Sequence, residues 1–173
     1  NAKMNIIKNY DTECSIIYNQ DDHNLDQYFR KNNIATPYSI NKKNHLFVKE
    51  NKIYSSKTKK IIINQEDTKL IGLHNLSNII ASIEIAKLFN INDKDIKEAL
   101  TDFKPLEHRM EKLFINTNIT YINDSKGTNL HSTDSALNSF KNKIILILGG
   151  FSKDKIDPKE ILNLINKNNI IRI

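Results

Sequence analysis

The chain has 173 residues, a net charge of +6 and 39% hydrophobic residues, so it could form one domain or two small ones. Its lysines are scattered rather than arranged in a basic stripe with interleaved aromatic residues, so nucleic acid is not an expected partner. No apolar run approaches the ~20 residues that cross a bilayer, and no signal peptide is visible.

The single cysteine and the two chain ends indicate what kind of protein this is. Cys14 is the only cysteine, so no disulfide can form within the chain, which favours a reducing cytoplasm. We expect Cys14 to be a small buried residue in a strand. The chain opens like the later part of a helix and closes on the strand-like run 170–173, which suggests a piece of a longer enzyme.

The first hundred residues mix short strands with helices. A strand at 15–18 precedes a turn and a helix at 22–30. Polar turns then separate three short apolar runs, which predict an antiparallel meander, at 45–49, 53–54 and 60–63.

Helical spacing takes over after the meander. Leu76, Ile79, Ile80 and Ile83 predict one apolar face of a helix that continues to about Phe89. A second helix has Asn92 as its N-cap and ends before Pro105, since proline disfavours α conformation in the residue before it. We place a domain boundary at Pro105, which gives domains 1–105 and 106–173.

The second part alternates strands and helices. Strands at 112–116 and 119–122 could pair across a short turn, and the run 144–148 is typical of a strand that is buried on both faces. Asp157 and Pro158 begin a helix whose predicted buried face comprises Ile161, Leu162 and Ile165. This alternation predicts an α/β fold with a parallel sheet and right-handed crossovers.

The loop between the predicted strand at 119–122 and the next helix is rich in polar and charged side chains. It contains an acid, two hydroxyls, a lysine and a glycine, at a place where α/β folds bind anions. Lys126 could hold a phosphate there, and Gly127 lets a ligand approach the backbone. Lys153 follows the next strand, so both lysines could converge on one anionic site. Two solvated loop lysines are the alternative.

Four segments resemble the Mur ligase family, and in particular its D-glutamate-adding members, in order and spacing. They are Leu73-His74-Asn75-Leu76-Ser77-Asn78, Pro105-Leu106-Glu107-His108-Arg109-Met110-Glu111, Asn123-Asp124-Ser125-Lys126-Gly127-Thr128-Asn129 and Ile147-Leu148-Gly149-Gly150-Phe151-Ser152-Lys153. The resemblance implies the end of a central ATPase domain, with an antiparallel meander, followed by part of a Rossmann-like C-terminal domain. Gly127 departs from the family, where alanine is common.

The resemblance implies an activity for the parent protein. That activity is the ATP-dependent ligation of D-glutamate to UDP-N-acetylmuramoyl-L-alanine through an acyl phosphate, in peptidoglycan synthesis, with ATP and Mg²⁺ as cofactors. The parent is expected to be cytoplasmic; the sequence leaves its oligomeric state open, and a monomer is the expectation. The chain itself is expected to be inactive, because the family's glycine-rich phosphate loop does not occur in it. Alternatives are another Mur ligase or folylpolyglutamate synthase relative, and a non-catalytic nucleotide-binding module.

The resemblance also implies roles for single residues. Lys126 would be catalytic and bind the reacting phosphate, with Thr128 near the amino-acid substrate. Lys153 would hold a carboxylate of D-glutamate. Arg109 and Asp124 would hold the ribose and phosphates of the nucleotide. The alternatives are that Arg109 forms a surface ion pair with Glu107 or Glu111, and that Asp124 is a turn or cap residue.

Three further residues have implied roles. Asn75 and Asn78 would contact the adenine, although helix capping is the simpler interpretation of both. The run Ala2-Lys3-Met4-Asn5-Ile6 resembles the family segment whose lysine is carbamylated. A carbamate on Lys3 would be an anionic oxygen ligand suited to Mg²⁺. The alternative is an exposed helix lysine, and in this chain alone we expect Lys3 to be unmodified.

Overall fold

A computed structural model describes residues 5, 7–8, 11, 13–32, 34–116, 118–150 and 157–173. The chain divides into two compact units, of which the first comprises Asn1–Asn64 and Ser77–Ala99 and the second Gln65–Leu76 and Leu100–Ile173. These units are groups of residues in mutual contact. The domain boundary at Pro105 therefore stays a prediction.

The first unit contains a small βαβ arrangement. Strand β1 (Ile17–Asn19) pairs in parallel with β2 (Thr36–Tyr38), and helix α1 (His23–Asn32) connects them. Helix α1 begins after Asp22, whose Oδ1 accepts hydrogen bonds from the backbone N–H groups of Asn24 and Leu25 at 2.9 and 3.1 Å. The strand and helix predicted here are confirmed, within two residues at each boundary.

The antiparallel meander is confirmed. Strands β3 (Leu46–Lys49), β4 (Lys52–Ser55) and β5 (Ile61–Asn64) form one sheet in chain order. Glu50 and Asn51 join β3 to β4 with φ values of 51° and 57°, the left-handed conformations of a tight two-residue hairpin. Ile53 and Ile63 are fully buried.

Two helices follow the meander. Helix α2 (Leu73–Leu88) contributes to both units, and its predicted apolar face is buried at Leu76, Ile79, Ile80 and Ile83. Helix α3 (Asp93–Asp102) buries Ile96. The predicted cap is confirmed, because Asn92 Oδ1 accepts a hydrogen bond from the Asp95 backbone at 3.0 Å.

The second unit begins with a short 3-10 helix at Gln65–Asp67. Its later elements are β6 (Glu111–Ile115), β7 (Thr120–Asn123), α4 (Leu130–Leu137), β8 (Ile144–Ile145), α5 (Pro158–Lys167) and β9 (Ile170–Arg172). The predicted pairing of the first two strands is confirmed as an antiparallel hairpin. Strands β8 and β9 pair in parallel, in a separate two-stranded sheet.

Two expectations about burial in this unit are wrong. The run 144–148 is in a strand only at Ile144–Ile145, and Ile147 is 95% exposed, because no described element covers this run on both faces. On α5 the buried leucine is Leu164, whereas Leu162 is 57% exposed. The reason is that α4 packs on the side of α5 that carries Leu164 and Lys167, where Lys167 pairs with Asp134 at 2.8 Å.

Cys14 also differs from expectation. It is exposed and lies outside the strands. Asp11 Oδ1 accepts hydrogen bonds from the backbone N–H groups of Glu13 and Cys14 at 3.0 and 3.1 Å, which bends this segment into a turn before β1 begins. In the part of the chain that the structure describes, no helix is long and apolar enough to cross a membrane.

Candidate functional site

The turn before β6 lies against the loop between β7 and α4. Lys126 donates its backbone N–H to the carbonyl oxygen of His108 at 3.1 Å. In the other direction, the Met110 backbone donates to Asp124 Oδ1 at 3.0 Å. These two hydrogen bonds bring together the segments that carry Arg109, Asp124 and Lys126, three of the residues that the sequence selected.

The backbone on each side of Arg109 is unusual. His108 has φ 66° and Met110 has φ 51°, so two residues with side chains adopt the left-handed region. Each such conformation costs about 1–2 kcal/mol. The side chain of Met110 is buried, with 3% of its surface exposed, whereas Arg109 is exposed. The turn is therefore anchored through Met110 and its hydrogen bonds and presents Arg109 to solvent.

Glu111 is engaged by His108 and Asn123 instead of by Arg109. Its Oε2 accepts a hydrogen bond from the His108 backbone at 2.9 Å and lies 3.3 Å from Asn123 Nδ2. Within the described residues, no carboxylate forms an ion pair with the Arg109 guanidinium. The alternative surface pair with Glu107 or Glu111 is thus not formed. Arg109 is left as an exposed cation beside the loop.

Asn123, the last residue of β7, links the turn to the loop. Its Nδ2 lies 2.8 Å from His108 Nδ1, and its Oδ1 accepts the backbone N–H of Ser125 at 3.1 Å. The sequence gave Asn123 and His108 no role, and it considered Glu111 only as a possible ion-pair partner of Arg109. A signal was available, because all three lie inside the segments that resemble the Mur ligases.

The loop itself forms a compact turn. The Asp124 carbonyl accepts the Gly127 backbone N–H at 2.8 Å, so Asp124 has the turn role that the sequence left open. A Cβ on residue 127 would lie 3.0 Å from Asp124 Oδ2. Lys126 and Thr128 are exposed beside this turn. Helix α4 then begins at its cap Asn129, whose Oδ1 accepts the Ser132 backbone N–H at 2.8 Å.

The start of α2 contributes His74 and Asn75 to the same unit. Partial desolvation lowers the pKa of His74, and the negative charge of Asp124 opposes that shift. Asn75 Nδ2 donates to the carbonyl of Ile71 at 2.8 Å.

Neither Asn75 nor Asn78 is the N-cap of α2, because both lie inside the helix. Helix α2 begins at Leu73, which makes Asn75 its third residue and Asn78 its sixth. The contact of Asn75 and Asn78 with adenine stays a prediction.

Two of the selected lysines, Lys3 and Lys153, lie outside the described residues. The carbamate on Lys3, the contact of Lys153 with a carboxylate and the convergence of Lys126 with Lys153 therefore stay predictions. In the described ranges, no group of three His, Cys, Asp or Glu side chains is placed to hold a metal ion. The described site is a cationic and hydrogen-bonding surface, formed by Arg109, Lys126, Asp124 and Thr128, whose donor set suits a phosphorylated ligand.

Comparison with known proteins gives consistent matches. Residues 1–86 match the Mur ligase middle domain. A UDP-N-acetylmuramoylalanine–D-glutamate ligase of Christiangramia forsetii is 33% identical over 172 residues, which are 96% of this chain and 38% of the relative. The enzyme of the same name from Clostridioides difficile is 39% identical over 156 residues, which are 88% of this chain and 35% of the relative. The chain thus spans less than two fifths of the length of these relatives.

A solved structure supports the fold. The crystal structure of MurF from Acinetobacter baumannii superposes with a TM-score of 0.64 at 16% sequence identity, over 81% of this chain and 32% of that one. At this identity the likeness concerns the fold alone.

Proposed function

The chain belongs to the Mur ligase family, and we propose that its parent protein joins D-glutamate to UDP-N-acetylmuramoyl-L-alanine, using ATP and Mg²⁺. The observation that carries the proposal is the hydrogen-bonded contact between the Arg109 turn and the loop of Asp124 and Lys126. This contact gathers cations and hydrogen-bonding groups where the motifs of the D-glutamate-adding members lie.

The proposed ligation has two steps. The γ-phosphoryl group of ATP is transferred to the alanyl carboxylate, which gives ADP and an acyl phosphate. The amine of D-glutamate then attacks the acyl carbon, and phosphate leaves as the amide forms and the amine loses its proton. Positioning of the two substrates and neutralisation of phosphate charge are the main tasks of the protein.

Each selected residue has one task in this proposal. Arg109 and Asp124 hold the nucleotide, through its phosphates and ribose, and Asn75 and Asn78 contact the adenine. Lys126 neutralises the phosphate while it is transferred and released. Further proposed roles are amino-acid binding by Thr128, binding of a D-glutamate carboxylate by Lys153, and Mg²⁺ ligation by a carbamate on Lys3. The proposed location is the cytoplasm.

The direct test is phosphate release by the complete protein with ATP, Mg²⁺, UDP-N-acetylmuramoyl-L-alanine and D-glutamate. We expect release that depends on D-glutamate. If L-lysine or another amino acid is the preferred nucleophile, the proposal fails and another member of the superfamily is indicated. If ATP binds without any amino-acid-dependent turnover, a non-catalytic nucleotide-binding module is indicated.

Two lysine variants test the residue roles. Lys126→Ala should chiefly lower kcat, because the phosphate charge changes most along the reaction path. Lys153→Ala should chiefly raise the KM for D-glutamate by about ten- to a hundredfold, which corresponds to the loss of one charge-assisted contact. Lys143→Ala, at an exposed lysine of the same unit, is the matched control and should change neither constant. An unchanged D-glutamate KM in Lys153→Ala would contradict the assignment.

A further inference from the structure

We propose that Asn123 is a positioning residue for nucleotide binding, which holds the ring of His108 through its Nδ1 atom and thereby fixes Arg109 beside Asp124 and Lys126. The inference rests on the proposed function only in taking the ligand to be an adenine nucleotide. It assigns a role to a side chain that contacts no proposed ligand and acts through its neighbours.

The orientation of the Asn123 amide is fixed by the backbone. Its Oδ1 accepts the Ser125 N–H at 3.1 Å, and a flipped amide would place two donors against each other. The Nδ2 group therefore faces His108 Nδ1 at 2.8 Å and Glu111 Oε2 at 3.3 Å. Its two hydrogens match these two acceptors.

This orientation indicates the tautomer of His108. Nδ1 accepts the hydrogen bond from Asn123, which requires the tautomer that carries its proton on Nε2. A proton on Nδ1 would face the Asn123 donor at hydrogen-bonding distance. It would also favour closer pairing with Glu111 Oε2, which lies 3.6 Å from Nδ1. Asn123 therefore favours one tautomer of His108 and holds its ring against the end of β7.

The position of His108 matters because its backbone carries the turn. His108 accepts the Lys126 backbone N–H through its carbonyl oxygen and donates its own N–H to Glu111. With φ 66° at His108 and 51° at Met110, the turn has a conformation that local preference does not maintain. The contacts of Asn123 with the His108 and Glu111 side chains add to the two hydrogen bonds of the His108 backbone. Together they restrict where Arg109 can lie.

The substitution Asn123→Asp tests this role with little change in shape. The carboxylate can still accept the Ser125 N–H, but it cannot donate to His108 Nδ1 and it repels Glu111. Asn116→Asp is the matched control. Asn116 lies at the other end of the same hairpin, and its Oδ1 likewise accepts backbone N–H groups, from Asn118 and Ile119, both at 3.1 Å. It adds the same charge away from the turn.

The first measurement is ADP binding by the complete protein in the presence of Mg²⁺, by isothermal titration calorimetry. We expect Asn123→Asp to raise the Kd for ADP roughly tenfold, because the hydrogen bond to Glu111 is replaced by repulsion and the hydrogen bond to His108 is reversed, and Asn116→Asp to change it less than about twofold. In turnover assays the KM for D-glutamate should stay within about twofold in both variants. If the ADP Kd is unchanged, or if the constants for all substrates shift together, the inference is overturned.

The second measurement observes the imidazole directly. In protein labelled with ¹⁵N-histidine, we expect His108 Nδ1 to be unprotonated in the wild type and protonated in Asn123→Asp, with the signal assigned from His108→Gln. A proton on Nδ1 in the wild type overturns the inference, even if the variant proves unstable. The two proposals fail separately. A protein that binds ADP but does not ligate D-glutamate refutes the proposed function alone, whereas one that binds no ADP refutes both.

Discussion

Replacing Glu84 with methionine should stabilise the chain at neutral pH. Glu84 lies on α2 with 6% of its surface exposed, and its Oε1 is buried without a hydrogen-bond partner among the described residues. Its ion pair is with His45, whose Nδ1 lies 3.8 Å from Oε2 and whose side chain is 76% exposed. Methionine has similar length and helix propensity and no charge to desolvate.

The expected gain follows from the unpaired oxygen. A buried polar atom without a partner costs about 1–3 kcal/mol, so Glu84→Met should raise the free energy of unfolding by about that amount. Each kcal/mol corresponds to a Tm increase of about 2–4 °C for a chain of this size.

The gain should also depend on pH. Burial raises the pKa of Glu84 above its ordinary value of 4.5, and the nearby His45 opposes that shift. Above the folded-state pKa, the carboxylate is charged in both states and the folded protein bears the full cost. Below pH 4.5 both states are protonated, so the cost of burying the charge disappears. The advantage of Glu84→Met should therefore decrease as pH falls through this window.

Equilibrium urea unfolding at pH 7 and pH 4 measures both effects. Glu98→Met is the control, because Glu98 is exposed on α3, and it should change stability by less than about 0.5 kcal/mol. A destabilised Glu84→Met, or a gain of equal size at both pH values, would refute the reasoning.

Three further outcomes are expected. Asp157→Ala should destabilise the chain by about 1 kcal/mol in urea unfolding, because Asp157 Oδ1 caps α5 through the Lys159 N–H at 2.9 Å; unchanged stability would contradict this. His45→Gln should raise the pKa of Glu84 further, as measured by NMR titration of its carboxyl group, and a lower pKa would contradict it. Lys3→Ala should abolish turnover of the complete protein and short carboxylates should partly restore it, whereas full activity without them would exclude the carbamate.

Elements defined by local signals were predictable from the sequence. The meander follows from short apolar runs and polar turns, and Glu50-Asn51 forms a tight hairpin turn within it. The helix starts at Asn92 and Asp157 were also predictable, because a cap is a local hydrogen bond between a side chain and a backbone two or three residues later.

Burial was less predictable, because it depends on what packs against an element. Leu162 and Leu164 are both apolar, and Leu164 is the buried one because it lies on the side of α5 against which α4 packs. Cys14 has a strand-like neighbourhood, but the carboxylate of Asp11 bends the backbone before β1. Asn75 resembles a cap in sequence, but α2 begins at Leu73, three residues before the position where a helix capped by Asn75 would begin.

The candidate site shows the same division. Motif residues such as Arg109, Asp124 and Lys126 could be selected from their segments, and the structure joins those segments. Asn123 could not be assigned a role, because its partner His108 is fifteen residues away in the chain and the contact exists only once the hairpin has formed. A side chain that acts by positioning another side chain is difficult to identify from one sequence, because their contact depends on the folded structure.

Position 110 limits how this protein can be varied. Met110 must combine a left-handed backbone, with φ 51°, and a side chain that is 3% exposed. Isoleucine and valine satisfy burial but are branched at Cβ, which makes the left-handed region costly. Glycine and asparagine suit the backbone but supply no apolar surface. A library randomised at this codon should therefore be enriched in methionine and leucine, although most tables of residue similarity would treat isoleucine as an equal exchange.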